Sequence, residues 1–179
     1  MKRSGKLWAI ILAAGEGSRI RSLTRDKTGV SVPKQFYSPS GGESLLRSTI
    51  RRAASLVEKE RIVTVVAEQH RQWWEEELHD FLPENIIAQP VNRGTATGIL
   101  LPLLDILRRD PLAKIILMPS DHHVESETVF TEALVEAVQA VYLDGRRAVL
   151  LGMNHESSNE DYGWIVTSAS PDNASVREV

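Results

Sequence analysis

Short apolar runs alternate with stretches of helical periodicity along most of this chain, and that alternation constrains its fold more than any other feature. Strand candidates fall at 7–13, 61–67, 85–88, 113–118 and 147–152, and helix candidates at 43–58, 69–80, 95–109 and 127–143. Strand and helix in turn predict an α/β fold: a Rossmann-like, mainly parallel sheet with helices on both faces. Leu7 to Ala13 is a short continuous apolar run and reads as a strand buried on both faces. The last helix candidate carries Val129, Phe130, Ala133, Leu134, Ala137, Val138 and Val141 at helical spacing, with Glu125 and Glu127 at its positive end. Asp144-Gly145 stops it. From Gly163 the pattern changes to two short strands, Trp164 to Ser168 and Ala174 to Val179, split by Ser170-Pro171-Asp172-Asn173. They predict a short antiparallel hairpin near the C-terminus.

A chain of 179 residues suits one domain and can bury roughly 70% of the surface its unfolded form exposes. No apolar run approaches the ~20 residues needed to span a bilayer. The N-terminus is basic, but the apolar stretch after it is short and runs straight through Ala13-Ala14-Gly15 into a glycine loop. It reads as a core strand rather than a secretory signal. The absence of cysteine excludes disulfides and thiolate zinc sites, and with them predicts a cytoplasmic protein. A net charge of −3 argues against a nucleic-acid partner, and nothing in the chain predicts a membrane partner.

Against that acidic background one segment is cationic. Between residues 14 and 34 stand Arg19, Arg21, Arg25, Lys27 and Lys34, opposed only by Glu16 and Asp26. Gly15 and Gly17 let the backbone turn tightly directly after the first strand, and bare amides at such a turn suit a phosphate. A strand feeding a glycine-rich basic loop is therefore a candidate polyphosphate site. It is not a dinucleotide fingerprint, because Ile20 stands where G-x-G-x-x-G needs its third glycine. A Walker A loop occurs nowhere in the chain.

Two other strand ends carry polar groups. Asp121 follows Ile115-Ile116-Leu117-Met118 and Pro119-Ser120, at the carboxyl edge of a parallel strand, where open α/β sheets place their ligands. One aspartate is chemically sufficient to anchor Mg²⁺, which takes one or two carboxylates and completes its shell with phosphates and water. A turn-capping aspartate is the alternative. Gln89 to Ala96 follows another strand edge and opens a helix, with Asn92 or Gly94 near the N-cap. It is either a simply capped helix or a place for a negatively charged ligand. Glu75-Glu76-Glu77 reads as a helix surface, Trp73-Trp74 as packing or an interface, and Arg51-Arg52 and Arg108-Arg109 as C-terminal helix caps. His122 and His123 read as loop histidines, because adjacent side chains on an extended segment point apart.

The loop G-E-G-S-R, Pro33-Lys34-Gln35-Phe36, Gln89-Pro90-Val91-Asn92-Arg93-Gly94-Thr95-Ala96, Pro119-Ser120-Asp121-His122 and the looser Tyr162-Gly163-Trp164-Ile165 occur in that order. Together they resemble the sugar-phosphate nucleotidyltransferases, or sugar-nucleotide pyrophosphorylases. The P-K-Q-F spelling looks specifically like the mannose-1-phosphate guanylyltransferases. The resemblance implies attack by a sugar-1-phosphate oxygen on the α-phosphorus of a nucleoside triphosphate, with pyrophosphate leaving. It implies GTP and a hexose-1-phosphate, mannose-1-phosphate, as substrates and Mg²⁺ as cofactor. Alternatives are the same chemistry with dTTP, UTP or CTP, or a non-catalytic module that binds the nucleotide or sugar nucleotide.

By the same resemblance Arg19, Lys34 and Asp121 are the catalytic residues. Arg19 would hold the leaving pyrophosphate, Lys34 a reacting phosphate and Asp121 the metal. For either basic residue, a solvated surface charge is the plain alternative. Ala13, Ala14, Gly15, Gly17 and Ser18 would follow the nucleotide phosphates. Gln89, Asn92, Arg93, Gly94 and Thr95 would lie along the nucleotide, and Gly163 would meet the sugar unless it is a strand bulge. Departures from the family pattern are a longer spacing between Arg19 and Lys34, an extended loop from Thr24 to Val32, and unusual residues at Ala14 and Ser18. The family's E-K-P loop and second metal-binding aspartate would come after Val179. Residues 1–179 therefore read as one nucleotidyltransferase domain, C-terminally truncated relative to the family. A strand edge exposed there predicts association into a homo-oligomer.

Overall fold

The computed structural model describes residues 6–17, 23–24, 29–153 and 163–167. The chain divides into two compact units, Met1–Glu125 and Ser126–Val179.

The first unit is built on four parallel strands: β1 (Leu7–Ala13), β2 (Ile62–Ala67), β3 (Ile86–Gln89) and β4 (Lys114–Pro119). Their order across the sheet is β3-β2-β1-β4. β2 is buried at all its positions and reads Ile-Val-Thr-Val-Val-Ala, the continuous apolar spelling of a strand covered on both faces. β1 is central, with Ile10 opposite Val63 of β2 and Leu117 of β4.

Three helices join the strands: α1 (Leu45–Ala54), α2 (Arg71–Glu77) and α3 (Gly94–Arg109). The crossover from β1 to β2 through α1 moves one way across the sheet, and that from β3 to β4 through α3 moves back the other way. Right-handed crossovers in opposite directions put their helices on opposite faces. On the α3 face, Trp8, Ile10, Val63 and Val65 pack with Ile106, and Leu12, Leu103 and Ile115 flank them. Strand alternation turns Ala9 and Ile11 to the other face, and α1 packs against β1 and β2 through its buried Leu46, Ile50 and Ala53. The expected parallel α/β sheet is thus present.

Element ends differ from the expectation for local reasons. α1 starts after Ser44, whose hydroxyl accepts from Arg47 N at 3.1 Å. It stops by Ala54 because the Ser55 hydroxyl takes the Arg52 carbonyl at 2.6 Å. α2 is short because Glu68–His70 is a 3₁₀ turn and Leu78 leaves helical geometry. The paired arginines have side-chain partners. Arg51 pairs with Glu43 at 2.9 Å, and Arg108 with Asp105 at 3.1 Å. Arg109 lies over the Trp8 ring, 4.8 Å from its centroid, and donates to Asn85 Oδ1 at 2.8 Å. Trp74 is packed, its indole N–H donating to Ala67 O at 3.0 Å.

The second unit holds α4 (Glu127–Leu143), which matches the expected helix residue for residue. Ser126 caps its start and Asp144 ends it, with Arg146 and Arg147 paired to the Asp144 carboxylate. Backbone donation from Arg146 and the Arg147 guanidinium hold that carboxyl below its ordinary range. The strand expected at 147–152 is not formed. Its apolar residues supply side chains for a sheet, but among the described residues no ladder of backbone hydrogen bonds is made there, and Leu150 is exposed. Residues 164–167 likewise form no strand. The remainder of the expected hairpin, Ser168 and Ala174 to Val179, lies outside the described residues. A side chain at Gly152 would come within 3.7 Å of Ile165, so these two segments do run close together. Among the described residues no helix is long and apolar enough to cross a membrane.

Asn85 locks three elements of the first unit. It is fully buried just before β3, accepts from Arg109 of α3 and donates to Glu60 O ahead of β2 at 2.9 Å. Removing it strands two polar partners. Asn85→Ala is therefore expected to lower the unfolding free energy by about 1–3 kcal/mol. The measurement is the urea midpoint at unchanged m-value. Arg51→Ala, which breaks an exposed pair, should leave the midpoint nearly unchanged.

Candidate functional site

β1 and β4 are neighbours, and the crossovers from β1 to β2 and from β3 to β4 run in opposite directions across the sheet, so a crevice opens beyond the carboxyl ends of β1 and β4. β1 runs out into Ala14, Gly15, Glu16 and Gly17, and β4 into Ser120 and Asp121. Ser120 ties the two ends together: its N–H and its hydroxyl both donate to Leu12 O, at 3.1 and 2.7 Å.

The loop after β1 is shaped from below by the Pro33-Lys34-Gln35-Phe36 segment. Gln35 is buried, and its Nε2 donates to Ala13 O at 2.8 Å and to Gly15 O at 3.0 Å. Two carbonyl oxygens at the start of the loop are thereby engaged. Gly17 has φ +57°, and a Cβ there would press on Lys34 Cβ and N at 3.2 Å. Glycine is needed both for the turn and for the close approach of Lys34. Phe36 anchors the far end of the segment, stacked on Trp73 at 6.3 Å between ring centroids.

Lys34 Nζ lies 3.2 Å from Asp121 Oδ2, with both side chains about one-third to two-fifths exposed. His122 Nε2 is 3.9 Å from the other Asp121 oxygen. On the opposite wall, Gln89 ends β3, buried, with its amide nitrogen 3.5 Å from where a Cβ on Gly98 would sit. Asn92 Oδ1 accepts from Gly94 N at 2.9 Å. Gly94 opens α3 with φ +84°, and a Cβ there would meet nothing within 4 Å. Its glycine is a backbone requirement, and the space beside it is open. The positive end of a 16-residue helix faces the same cleft.

A cleft of about 200 Å³ brings these walls together. Of the residues expected at the site, Ala14, Gly15, Gly17, Lys34, Gln89, Asn92, Gly94, Thr95 and Asp121 line it. Ala13 is buried beneath it and contributes its carbonyl to Gln35. Arg93 is exposed and does not line it. Ser18 and Arg19 lie outside the described residues, and Gly163, in the second unit, is exposed with open space around it. Sequence reasoning gave no role to Gln35, Ser120, Gly98, Leu12 or Val65, all of which line the cleft. Leu12 and Val65 could have been found from strand alternation, since they are cross-strand partners at the carboxyl ends of β1 and β2. Gln35 carried a weaker signal, a polar residue placed between a phosphate-binding lysine candidate and a core phenylalanine.

Among the described residues no group of three or more His, Asp or Glu side chains is placed to hold a metal ion. The described lining residues bring backbone amides, Lys34 and one carboxylate, Asp121, to the same cleft.

The family model for nucleotidyl transferases matches residues 8–178. The mannose-1-phosphate guanylyltransferase RfbM of Salmonella typhimurium (strain LT2) is 35% identical over 162 residues, covering 87% of this chain and 32% of that protein. The mannose-1-phosphate guanylyltransferase of Escherichia coli (strain K12) is 34% identical over 164 residues, covering 89% of this chain and 33% of the relative. The chain thus spans about a third of the length of these curated relatives. Among solved structures, the mannose-1-phosphate geranyltransferase from Thermus thermophilus superposes with a TM-score of 0.63 at 26% identity, over 76% of this chain and 38% of that one. With the match running from β1 through the second unit, the chain belongs to the nucleotidyl transferase family.

Proposed function

We propose that this chain transfers a nucleoside monophosphate, GMP from GTP, to a hexose-1-phosphate, mannose-1-phosphate, releasing pyrophosphate. The observation that carries this reading is the meeting of Lys34 and Asp121 at 3.2 Å beside the glycine loop, at the β1/β4 switch point. The choice of GTP and mannose-1-phosphate is supported by the guanylyltransferases to which the chain is similar. Residues 8–178 supply the nucleotidyl-transferring part, working in the cytoplasm, a reading supported by the absence of cysteine from the chain.

Phosphoryl transfer of this kind depends on alignment and charge neutralisation more than on an acid or base. The amides of Ala14 to Gly17 and the α3 N-terminus receive triphosphate oxygens. Lys34 holds a reacting phosphate as a point charge. Arg19 takes the leaving pyrophosphate with its forked guanidinium. Gln89, Asn92, Gly94 and Thr95 line the nucleotide. Asp121 would hold Mg²⁺. One carboxylate in an open cleft beside a phosphate-binding loop fits that ion, which keeps several waters and takes its other ligands from phosphates. When bound, Mg²⁺ neutralises charge that develops on the phosphates. Lys34 has three N–H donors and uses one contact on Asp121, and the partial exposure of both groups lets it turn toward a phosphate at little cost.

Asp121→Asn keeps size and hydrogen-bonding capacity while removing the charge. It is expected to lower Mg²⁺-dependent pyrophosphate release by about a hundredfold or more with the melting temperature retained. Unchanged release would take the metal away from Asp121.

Arg19→Ala should weaken GTP binding by roughly tenfold to a hundredfold, the worth of a hydrogen bond to a charged group of about 1.5–3 kcal/mol. GMP, which lacks the leaving phosphates, should bind almost as before. Calorimetric titrations with the two nucleotides give the comparison, and equal losses would remove Arg19 from that role.

A further inference from the structure

Asp121 is fixed through its two chain neighbours, and only one of these fixings comes from the sheet. Ser120 is bonded to Leu12 of β1 through both its N–H and its hydroxyl. On the other side, the His122 carbonyl accepts from Arg52 Nη1 at 3.4 Å. Arg52 stands in the last turn of α1 and is only 5% exposed. Arginine is rarely buried to that degree unless its N–H groups have work to do. Its own helix holds it in place: Nη1 also donates to Thr49 Oγ1 at 3.2 Å, and Thr49 Oγ1 donates to Leu45 O at 2.9 Å. A chain of bonds therefore runs from the α1 backbone, through Thr49 and Arg52, to the residue next to Asp121. It spans 70 residues of sequence between Arg52 and His122.

The bond to His122 O is long, so its value lies in location rather than strength. Among the described residues, the other ties on the Asp121 loop are the Ser120 bonds and the Lys34 ion pair, which is open to competition from a phosphate. We propose that Arg52 is a positioning residue that sets where the Asp121 carboxylate stands relative to Lys34 and the glycine loop. The assignment rests on the nucleotidyl-transfer reading, with Asp121 as the group that holds the metal. Arg52 touches neither substrate nor metal in this role.

The test measures Mn²⁺ binding by electron paramagnetic resonance with GTP present, and binding of a fluorescent GTP analogue in EDTA. Arg52→Met should weaken Mn²⁺ binding about tenfold and leave metal-free nucleotide binding within about twofold. Arg52→Lys, which restores a charge and a donor, should recover part of the loss. If Arg52→Met lowers the melting temperature below the assay temperature, Thr49→Val is used instead. It removes the hydroxyl that orients the guanidinium and should weaken Mn²⁺ binding severalfold. A folded Arg52→Met protein with unchanged Mn²⁺ affinity overturns the proposal, as does one that loses nucleotide and metal affinity equally. Asp121→Asn serves as the control. If it abolishes Mn²⁺ binding while Arg52→Met does not weaken it, only the role of Arg52 falls; if it too leaves Mn²⁺ binding unchanged, the metal assignment itself falls.

Discussion

β1 is paired on one edge with β2 and on the other with β4, and the two crossovers that build those neighbours travel in opposite directions. Helices consequently leave the carboxyl ends of β1 and β4 uncovered, and a crevice opens there for topological reasons rather than through any single side chain. Ser120 closes the seam between the two strands at that edge by donating twice to Leu12 O. With the seam shut, the glycine loop and Asp121 are held at fixed distance, and Lys34 can meet both. A slip of β4 by one residue would turn the Ser120 side chain to the other face and carry Asp121 with it.

The cleft joins rigid and exchangeable parts. Gln35 is buried and bonded twice to the glycine-loop backbone, which fixes the loop at the level of its carbonyls. Lys34, its neighbour in sequence, is one-third exposed, and its side chain reaches Asp121 through its tip. An ion pair that open to water contributes from nothing to about 1 kcal/mol. Stability therefore resides in the glutamine and the core below it, while the lysine and aspartate remain available to ligands. One short 3₁₀ turn, Lys34–Phe36, carries both kinds of residue because its successive side chains leave in different directions.

Sequence patterning located those elements whose identity depends on local spacing. Apolar runs marked β1 through β4 to within a residue, since a parallel strand must be apolar on both faces. α4 was legible to the residue because Ser126 and Asp144 bracket a helical period. The apolar run at 147–152 was legible in the same way and yet forms no strand, since strand identity lies in a pairing that no single segment encodes. Arg109 was unreadable for a related reason: its partners Asn85 and Trp8 lie 24 and about 100 residues away and share no local pattern with it. At the site, glycines, Lys34 and Asp121 stood out because charge and backbone freedom are unusual against a buried sheet. Gln35 and Arg52 did not, since a polar residue that serves the backbone looks in sequence like any surface residue.

The Lys34–Asp121 pair also sets how the cleft responds to charge. Separately, each group offers a ligand site of opposite sign; together at 3.2 Å they largely cancel. An anion alone must compete with Asp121 for Lys34, and a cation alone must compete with Lys34 for Asp121. An anion and a cation arriving together replace one ion pair with two and lose nothing to that competition. Under the nucleotidyl-transfer reading, linkage then requires that a nucleotide phosphate on Lys34 tighten the hold on a cation at Asp121, and that the cation tighten the hold on the phosphate by the same factor. On that reading, a cleft with one carboxylate among its described lining residues would take up metal and phosphate together more readily than either alone.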